Sequence, residues 1–263
     1  QALGEAVPIG EALGDRRGLL AATAMLGRAM VSRGAMEESR AFLERAAEQF
    51  SDVIDTPEYV DLAGPLTQVL MRVNEDARGV ELADRILPNA HRYGTVASVL
   101  EILVNRGTSL ANLNRPVEAE ATLIGAIELA RLHELPVVEL RAIINLSHSA
   151  ETDEPRTSQN LRGFELIERY GLRAYIPFLL NNYVEEATVL GEWESALARV
   201  EEWTGSAMSE VERGRLDATG ADIRAMRGEL DAEQTTLLYR AWVEANREYV
   251  LKQSGGRLGY VHM

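Results

Sequence analysis

Hydrophobic residues recur along most of the chain with helical spacing, and the pattern itself repeats. The clearest copy covers residues 103–126. Its first half carries Leu103, Gly107 and Leu110 along one face, and its second half carries Ala119, Leu123 and Ala126. Small residues let two antiparallel helices approach closely, while leucines fill the space between them. The pattern therefore predicts two antiparallel helices joined by a turn at Asn114.

Related copies occur on both sides of this unit, each centred on a turn residue. Successive turn residues are separated by 40, 40, 40, 37 and 37 positions: Gly34, Asn74, Asn114, Glu154, Gly191 and Gly228. Such regular spacing is typical of stacked helical repeats. The sequence therefore predicts an all-α fold, a right-handed α-α superhelix of about six helix pairs with a period near 37–40 residues.

The same pattern sets expected boundaries for the elements. The predicted helices cover 17–33, 36–50, 58–73, 76–92, 96–113, 116–134, 137–150, 156–170, 174–190, 192–204, 208–227 and 230–251. Pro65 lies inside one of them and is expected to kink or shorten it. No linker rich in Pro, Gly or Ser divides the array, so residues 1–252 are expected to form one solenoid. Within it, 1–14 form the remnant of a preceding repeat, and 253–263 follow as an irregular tail.

The unit at 103–126 resembles a tetratricopeptide repeat, with a period longer than the usual 34 residues of that family. Phrases at 12–18, 115–121 and 165–172 resemble the C-terminal helical arrays of large bacterial signalling ATPases, which are linked to class III cyclases or LuxR-type DNA-binding domains. This resemblance implies a sensor or interaction arm without an active site. Because the chain starts at Gln1 in an apparent helix, we expect a fragment of a larger bacterial regulatory protein.

Composition narrows the possible chemistry. The net charge of −14 disfavours binding of nucleic acid or of an anionic membrane by this region. The chain has no cysteine and four scattered histidines, and it lacks the motifs of hydrolases and phosphate-binding loops. We therefore expect no catalytic residues, no metal and no cofactor. The absence of cysteine and of a long apolar segment is compatible with a cytoplasmic protein.

Asparagines recur two residues before the close-approach position of three consecutive repeats, at Asn105, Asn145 and Asn182. An amide side chain both donates and accepts, so a row of asparagines can hold an extended peptide backbone. Equally, asparagine can simply be common at this repeat position. Neighbouring positions complete a hypothetical groove with Thr108, Arg141, His148 and Glu185. Few basic side chains accompany them, which disfavours a partner that binds through a carboxylate.

Two functions remain open at this stage. The first is a non-catalytic regulatory or scaffold module that binds a protein, a peptide or another domain of its own full-length chain. The second is a sensor domain that binds a small inducer in a pocket inside the superhelix. An elongated polar groove favours the first, and a closed apolar cavity with convergent polar groups favours the second.

Overall fold

The computed structural model describes residues 15–149, 157–204 and 210–228, together with positions 240, 243, 244 and 247. These residues form eleven α-helices and two short 3₁₀ segments, and no strand occurs among them. The helices are α1 Arg16–Ser32, α2 Met36–Gln49, α3 Pro57–Arg72, α4 Asp76–Tyr93, α5 Val96–Asn112, α6 Pro116–Leu132, α7 Pro136–Ser149, α8 Thr157–Tyr170, α9 Ile176–Val189, α10 Trp193–Thr204 and α11 Glu210–Met226. The 3₁₀ segments are Ser51–Val53 and Arg173–Tyr175.

The all-α fold predicted from the periodicity is confirmed. All eleven helices correspond to predicted ones, with ends that agree to within about two residues. Helix starts follow ordinary capping chemistry: Asp15 and Thr56 accept hydrogen bonds from the first turns of α1 and α3. The expected repeat remnant at 1–14, the expected helix at 230–251 and the tail at 253–263 lie outside the continuously described residues.

The turns within the repeats have left-handed backbone conformations at the predicted positions. Gly34, Asn74 and Asn114 have φ of 80°, 60° and 58°, and Gly191 and Gly228 also have positive φ. After α1 and α5, the amides of Ala35 and Arg115 bond back five residues, to Met30 and Leu110. This arrangement satisfies carbonyls at the helix ends and favours Gly or Asn. The predicted turn at Glu154 lies outside the described residues.

Two further left-handed positions were not predicted from the sequence. Glu134 has φ of 54° after α6, and Gly171 has φ of 68° after α8. Both lie between successive helix pairs rather than within one, so they fall outside the pattern used to find the repeats. The amide of Leu135 bonds to the carbonyl of Ala130 at 2.9 Å, which closes the end of α6 in the same way.

The chain divides into two compact units, Gln1–Thr152 and Asp153–Met263. In the first unit, α1 packs on α3, α3 on α5 and α5 on α7, which makes a layer of first helices. The second helices α2, α4 and α6 each pack between their own first helix and the next one. One continuous solenoid over residues 1–252 stays a prediction.

Complementary side-chain sizes hold the helix pairs of the first unit together. A Cβ added to Gly107 would lie 2.9 Å from Leu123 Cγ, and one added to Gly27 would lie 2.2 Å from Leu43 Cδ2. The repeat between them reverses the sizes, with the larger Thr67 on the first helix and Ala83 on the second, and all these positions are buried. The helices therefore approach closely because one side of each contact lacks bulk.

Pro65 does not shorten its helix. Helix α3 continues from Pro57 to Arg72 with Pro65 buried in its middle. The preceding carbonyl of Gly64 accepts hydrogen bonds from the Thr67 hydroxyl at 2.8 Å and from the Asn105 amide at 3.2 Å. Proline at position 65 removes the ladder hydrogen bond to the carbonyl of Asp61, and the helix nevertheless continues for two further turns.

In the second unit, an aromatic cluster joins α8, α9 and α10. Phe164 stacks on Trp203 with ring centres 5.8 Å apart and meets Tyr183 edge to face at 5.7 Å. The guanidinium of Arg199 lies 5.0 Å from the centre of the Phe164 ring. Trp203 therefore packs between helices, and α9 of the same bundle carries Asn182.

Candidate partner-binding surface

The predicted groove residue Asn105 lies inside the first-helix layer. Its side chain is 2% exposed. Its amide nitrogen donates to the Gly64 carbonyl at 3.2 Å and to the Thr67 hydroxyl at 3.0 Å, while its oxygen accepts from Arg141 at 2.6 Å. The amide thus links α3, α5 and α7, and its polar atoms are engaged within the protein.

The remaining predicted residues of the first unit lie on α5 and α7. Thr108 is nearly buried on α5 and donates to the carbonyl of Val104 at 2.9 Å. Arg141 and Asn145 are half-buried on α7, and both take part in further interactions. His148 is on α7, but its side chain lies outside the described part of the structure.

Asn182 and Glu185 belong to α9 of the second unit. Asn182 is buried and takes part in further interactions, whereas Glu185 is exposed and accepts from Asn181 at 2.8 Å. Asn105 and Arg141 are in direct contact, and Asn182 and Glu185 lie in the other unit. Binding of a partner by these residues stays a prediction.

An ion pair spans the first-helix layer where the groove was expected. Arg28 on α1 donates to both carboxylate oxygens of Glu101 on α5, at 2.9 and 2.8 Å. It passes over Gly64 of the intervening helix α3, where an added Cβ would lie 3.5 Å from Glu101 and 3.8 Å from Arg28. A methyl group at this position would make ordinary van der Waals contact with both charged side chains.

This ion pair is part of a row of polar contacts that crosses the layer. We call this row the polar track; it comprises Arg17, Arg28, Glu58, Asp61, Ser98, Glu101, Asn105 and Arg141. At one end Arg17 donates to Glu58 at 2.7 Å, and Ser98 donates to Asp61 at 2.9 Å. At the other end, Asn105 accepts from Arg141. Every first helix of the unit, α1, α3, α5 and α7, contributes to the track.

Four charged residues of the track form two ion pairs, Arg17 with Glu58 and Arg28 with Glu101. Burial raises the pKa of Glu58, but the hydrogen bond and the positive charge of Arg17 outweigh this effect, and the net pKa is below its usual value. Glu58 is therefore ionised at neutral pH. The exposed charged groups of the track, such as Arg17 and Arg28, can form hydrogen bonds with a polar ligand without first being assembled, whereas the buried amide of Asn105 is engaged within the layer.

Exposed apolar surface borders the polar track on α1. Met25, which occupies the predicted groove position of the first repeat, is 59% exposed, and Arg28 is one turn further along the same helix. Pro65, at the equivalent position of the second repeat, is buried. Arg28, Gly64 and Glu101 were not among the predicted site residues. Their contact joins helices 73 residues apart in sequence, which the repeat period alone does not indicate.

The described residues include neither a candidate metal site nor a candidate membrane-spanning helix. No group of three or more His, Cys, Asp or Glu residues that could hold a metal ion occurs within the described part of the chain. None of the helices that the structure describes has the length and apolarity needed to cross a bilayer.

Comparison with solved structures finds helical repeat proteins related to the tetratricopeptide class. A structure titled as a functional characterisation of Pseudomonas aeruginosa pilF matches 91% of this chain and 99% of its own, with 16% identity and a TM-score of 0.60. Aspartyl phosphate phosphatase F from Bacillus subtilis matches 95% of this chain and 70% of its own, with 13% identity and a TM-score of 0.64. A Rap protein complexed with competence and sporulation factor matches 91% of this chain and 69% of its own, with 14% identity and a TM-score of 0.64.

Sequence relatives among curated proteins are similar to short stretches only. Tricorn protease of Thermoplasma acidophilum is 41% identical over 51 residues, which is 19% of this chain and 5% of the protease. The tricorn protease homolog of Saccharolobus solfataricus is 58% identical over 31 residues, 12% of this chain and 3% of that protein. No family model matches the chain. At these identities and coverages, what the comparisons establish is the fold, a tetratricopeptide-like helical solenoid.

Proposed function

We propose that this chain is a non-catalytic binding module that holds an extended peptide segment of a partner protein, or of another domain of its own full-length chain, along the polar track. The observation that carries the proposal is the Arg28–Glu101 bridge over Gly64. The bridge places charged hydrogen-bonding groups on an open surface with little side-chain bulk beneath them.

The chemistry of the track suits a peptide backbone. A peptide presents alternating donors and acceptors, and the track offers guanidinium donors beside carboxylate acceptors. First helices about 9 Å apart place four helices across about 30 Å, which an extended segment of about nine residues can span. Met25 adds an exposed apolar contact at one end of this path.

The fold neighbours support this proposal by analogy. One of the similar structures is of a Rap protein in complex with competence and sporulation factor, so a helical array of this kind holds a bound factor in that case. The identity of 14% restricts the analogy to the fold. Membership of a larger bacterial signalling or transcription-regulatory protein in the cytoplasm is part of the same proposal and rests on the repeat phrases described above.

Peptide selection tests this function directly. A phage-displayed library of random peptides of about twelve residues, long enough to span the layer, is selected on the immobilised chain. Affinities of enriched peptides are then measured by isothermal titration calorimetry against the unsubstituted chain and against Glu101→Gln. Loss of the Glu101 charge breaks the bridge, and we expect affinity to fall by at least about fivefold.

Glu81→Gln is the matched control, because it makes the same chemical change on the solvent face of α4. We expect this variant to bind as the unsubstituted chain does. Equal losses in both variants, or no loss in Glu101→Gln, would contradict binding along the track. Failure to enrich any peptide above a display library selected on blank support would contradict the function itself.

A further inference from the structure

Helix α6 presents apolar side chains to solvent on both sides of the exposed Glu128. Val117 and Leu132, one near each end, are 79% and 73% exposed, and Ile124 lies exposed between them. Ala121 is also exposed, and a Cβ added to Gly125 would meet nothing within 4 Å. These five residues, which we call the α6 stripe, recur at helical spacing and face away from the core.

The neighbouring repeats show that the fold does not require such a stripe. Forty residues earlier on α4, the positions equivalent to Ala121, Ile124 and Gly125 hold Glu81, Asp84 and Arg85, all of them exposed. Eighty residues earlier on α2, the positions of Ile124 and Gly125 hold Glu44 and Arg45. Three equivalent helices thus carry two charged solvent faces and one on which apolar residues predominate around Glu128. A contiguous apolar face on a protein surface marks a site of association.

We propose that the α6 stripe is a self-association surface, on which α6 of a second copy of this chain packs in an antiparallel direction. An antiparallel pair whose two-fold axis passes near residues 125 and 126 brings the two Ile124 side chains together at the centre. Val117 of one copy then comes within about one turn of Leu132 of the second copy, since each residue adds about 1.5 Å along the helix. The most exposed apolar residues therefore cover each other, and Glu128 of each copy comes beside Ile124 of the other at the centre.

Charge distribution favours this direction of packing. Glu120 and Arg131 lie on the same flank of α6 and nearly equidistant from that axis. Arg131 pairs with Glu128 of its own helix, and in an antiparallel pair Glu120 of one copy also lies beside Arg131 of the second copy, twice across the interface. In a parallel pair Glu128, at the middle of the solvent face, would instead lie beside its own copy, and like charges repel.

The small size of the surface sets the expected strength. Stable interfaces cover about 800 Å² on each partner, and one helix of 17 residues, about 25 Å long, offers roughly half of that. The close approach permitted by Gly125 and Ala121 compensates in part. We therefore expect a weak, reversible dimer with a Kd on the order of 100 µM. Such a strength allows regulation by local concentration.

Sedimentation velocity of the full chain, from about 5 to about 500 µM, tests the proposal. The weight-average mass should rise from monomer toward dimer over this range. Ile124→Asp reproduces the charge found at Asp84 and should weaken association at least about tenfold, whereas Glu81→Lys on α4 should leave it unchanged. Monomer at every concentration, or a dimer equally sensitive to both variants, overturns the proposal.

Charge reversal tests the antiparallel direction and does not depend on the fold of Ile124→Asp. Glu120→Arg and Arg131→Glu should each weaken the dimer, and the double variant should restore it because opposite charges again meet. Thermal unfolding of all variants verifies that the monomer is intact. Additive weakening in the double variant rejects the antiparallel pair. A dimer that none of these changes affects places the interface elsewhere.

Discussion

Helices α4 and α6 occupy equivalent places in consecutive repeats, and their buried and solvent faces follow different rules. On the buried face both helices keep small or aliphatic residues: Gly79, Ala83, Ile86 and Ala90 on α4, and Ala119, Leu123, Ala126 and Ala130 on α6. On the solvent face α4 is charged, whereas α6 is mostly apolar around Glu128. Helix packing therefore constrains one face only, and the other face is free to serve association.

The N-terminal ends of α4 and α6 also differ, in the order of the charges in an ion pair. At α4, Glu75 and Arg78 form an ion pair three residues apart, and at α6 Arg115 and Glu118 form the same pair with the charges reversed. Glu118 accepts two hydrogen bonds at 2.7 Å from Arg115. The repeat retains the pairing at this position but not the order of the charges.

The largest expected effect separates the two faces of α6. Leu123 is fully buried against Gly107, so Leu123→Ala should reduce the free energy of unfolding by about 2–5 kcal/mol through lost burial and a cavity. Ile124→Ala, the next residue but on the stripe, should change it by less than about 0.5 kcal/mol in dilute monomer. Urea denaturation measures both, and equal costs would show that the faces are not distinct.

The turns that precede α4 and α6 should respond alike, because their backbones are alike. Asn74→Ala and Asn114→Ala each place a residue with a Cβ and no polar side chain in the left-handed region. Each should cost about 1 kcal/mol, while glycine at either position should cost less. The denaturant midpoints of the alanine and glycine variants at both positions measure these costs. A large difference between the two repeats would contradict their equivalence.

Transferring the apolar character of α6 to α4 should have a small effect on stability. Asp84 accepts a hydrogen bond from Arg106 at 2.6 Å on a partly exposed surface. Asp84→Ile should therefore reduce the free energy of unfolding by less than about 1 kcal/mol. It should also increase self-association at high concentration, which light scattering detects. A loss of several kcal/mol would mean that the solvent face of α4 is structurally required.

The smallest expected effect concerns the reversed ion pairs. Hydrogen bonding to Arg78 holds the pKa of Glu75 below its usual value, and hydrogen bonding to Arg115 does the same for Glu118. A depressed carboxyl pKa stabilises the fold above the ordinary value of 4.5 and loses this contribution as the pH falls through the folded-state pKa.

Carboxyl titration by NMR measures this difference. Arg115→Ala should raise the pKa of Glu118 toward its ordinary value. Arg78→Ala should raise that of Glu75 less completely, since Arg40 also donates a hydrogen bond to Glu75. An unchanged Glu118 pKa in Arg115→Ala would mean that the pair at α6 does not persist in solution.

Sequence alone was sufficient for the helices and most turns, because both depend on local chemistry. The period of 40 residues located Asn74 and Asn114, and left-handed turns favour Asn. The turn at Glu134 was missed because glutamate carries no such preference. Of the two effects expected for Pro65, the shortening does not occur, since α3 continues through it to Arg72.

The candidate site was less accessible to sequence reasoning. Periodicity placed Asn105 on the correct helix, but its burial depends on Gly64 and Thr67 of α3 and on Arg141 of α7. The Arg28–Glu101 bridge joins the first and third helix pairs across a glycine. Such contacts are decided by side-chain length and by what lies between the helices, and a one-dimensional repeat does not encode these distances.

One measurement tests the proposed binding surface most directly. A peptide selected on this chain is titrated into the isotopically labelled protein, and backbone amide shifts are followed by NMR at a protein concentration below that of self-association. The account predicts shifts at Arg28, Gly64 and Glu101 on the polar track, with the α6 stripe unchanged. Shifts confined to the solvent faces of α4 and α6, with the track unaffected at saturation, would contradict it.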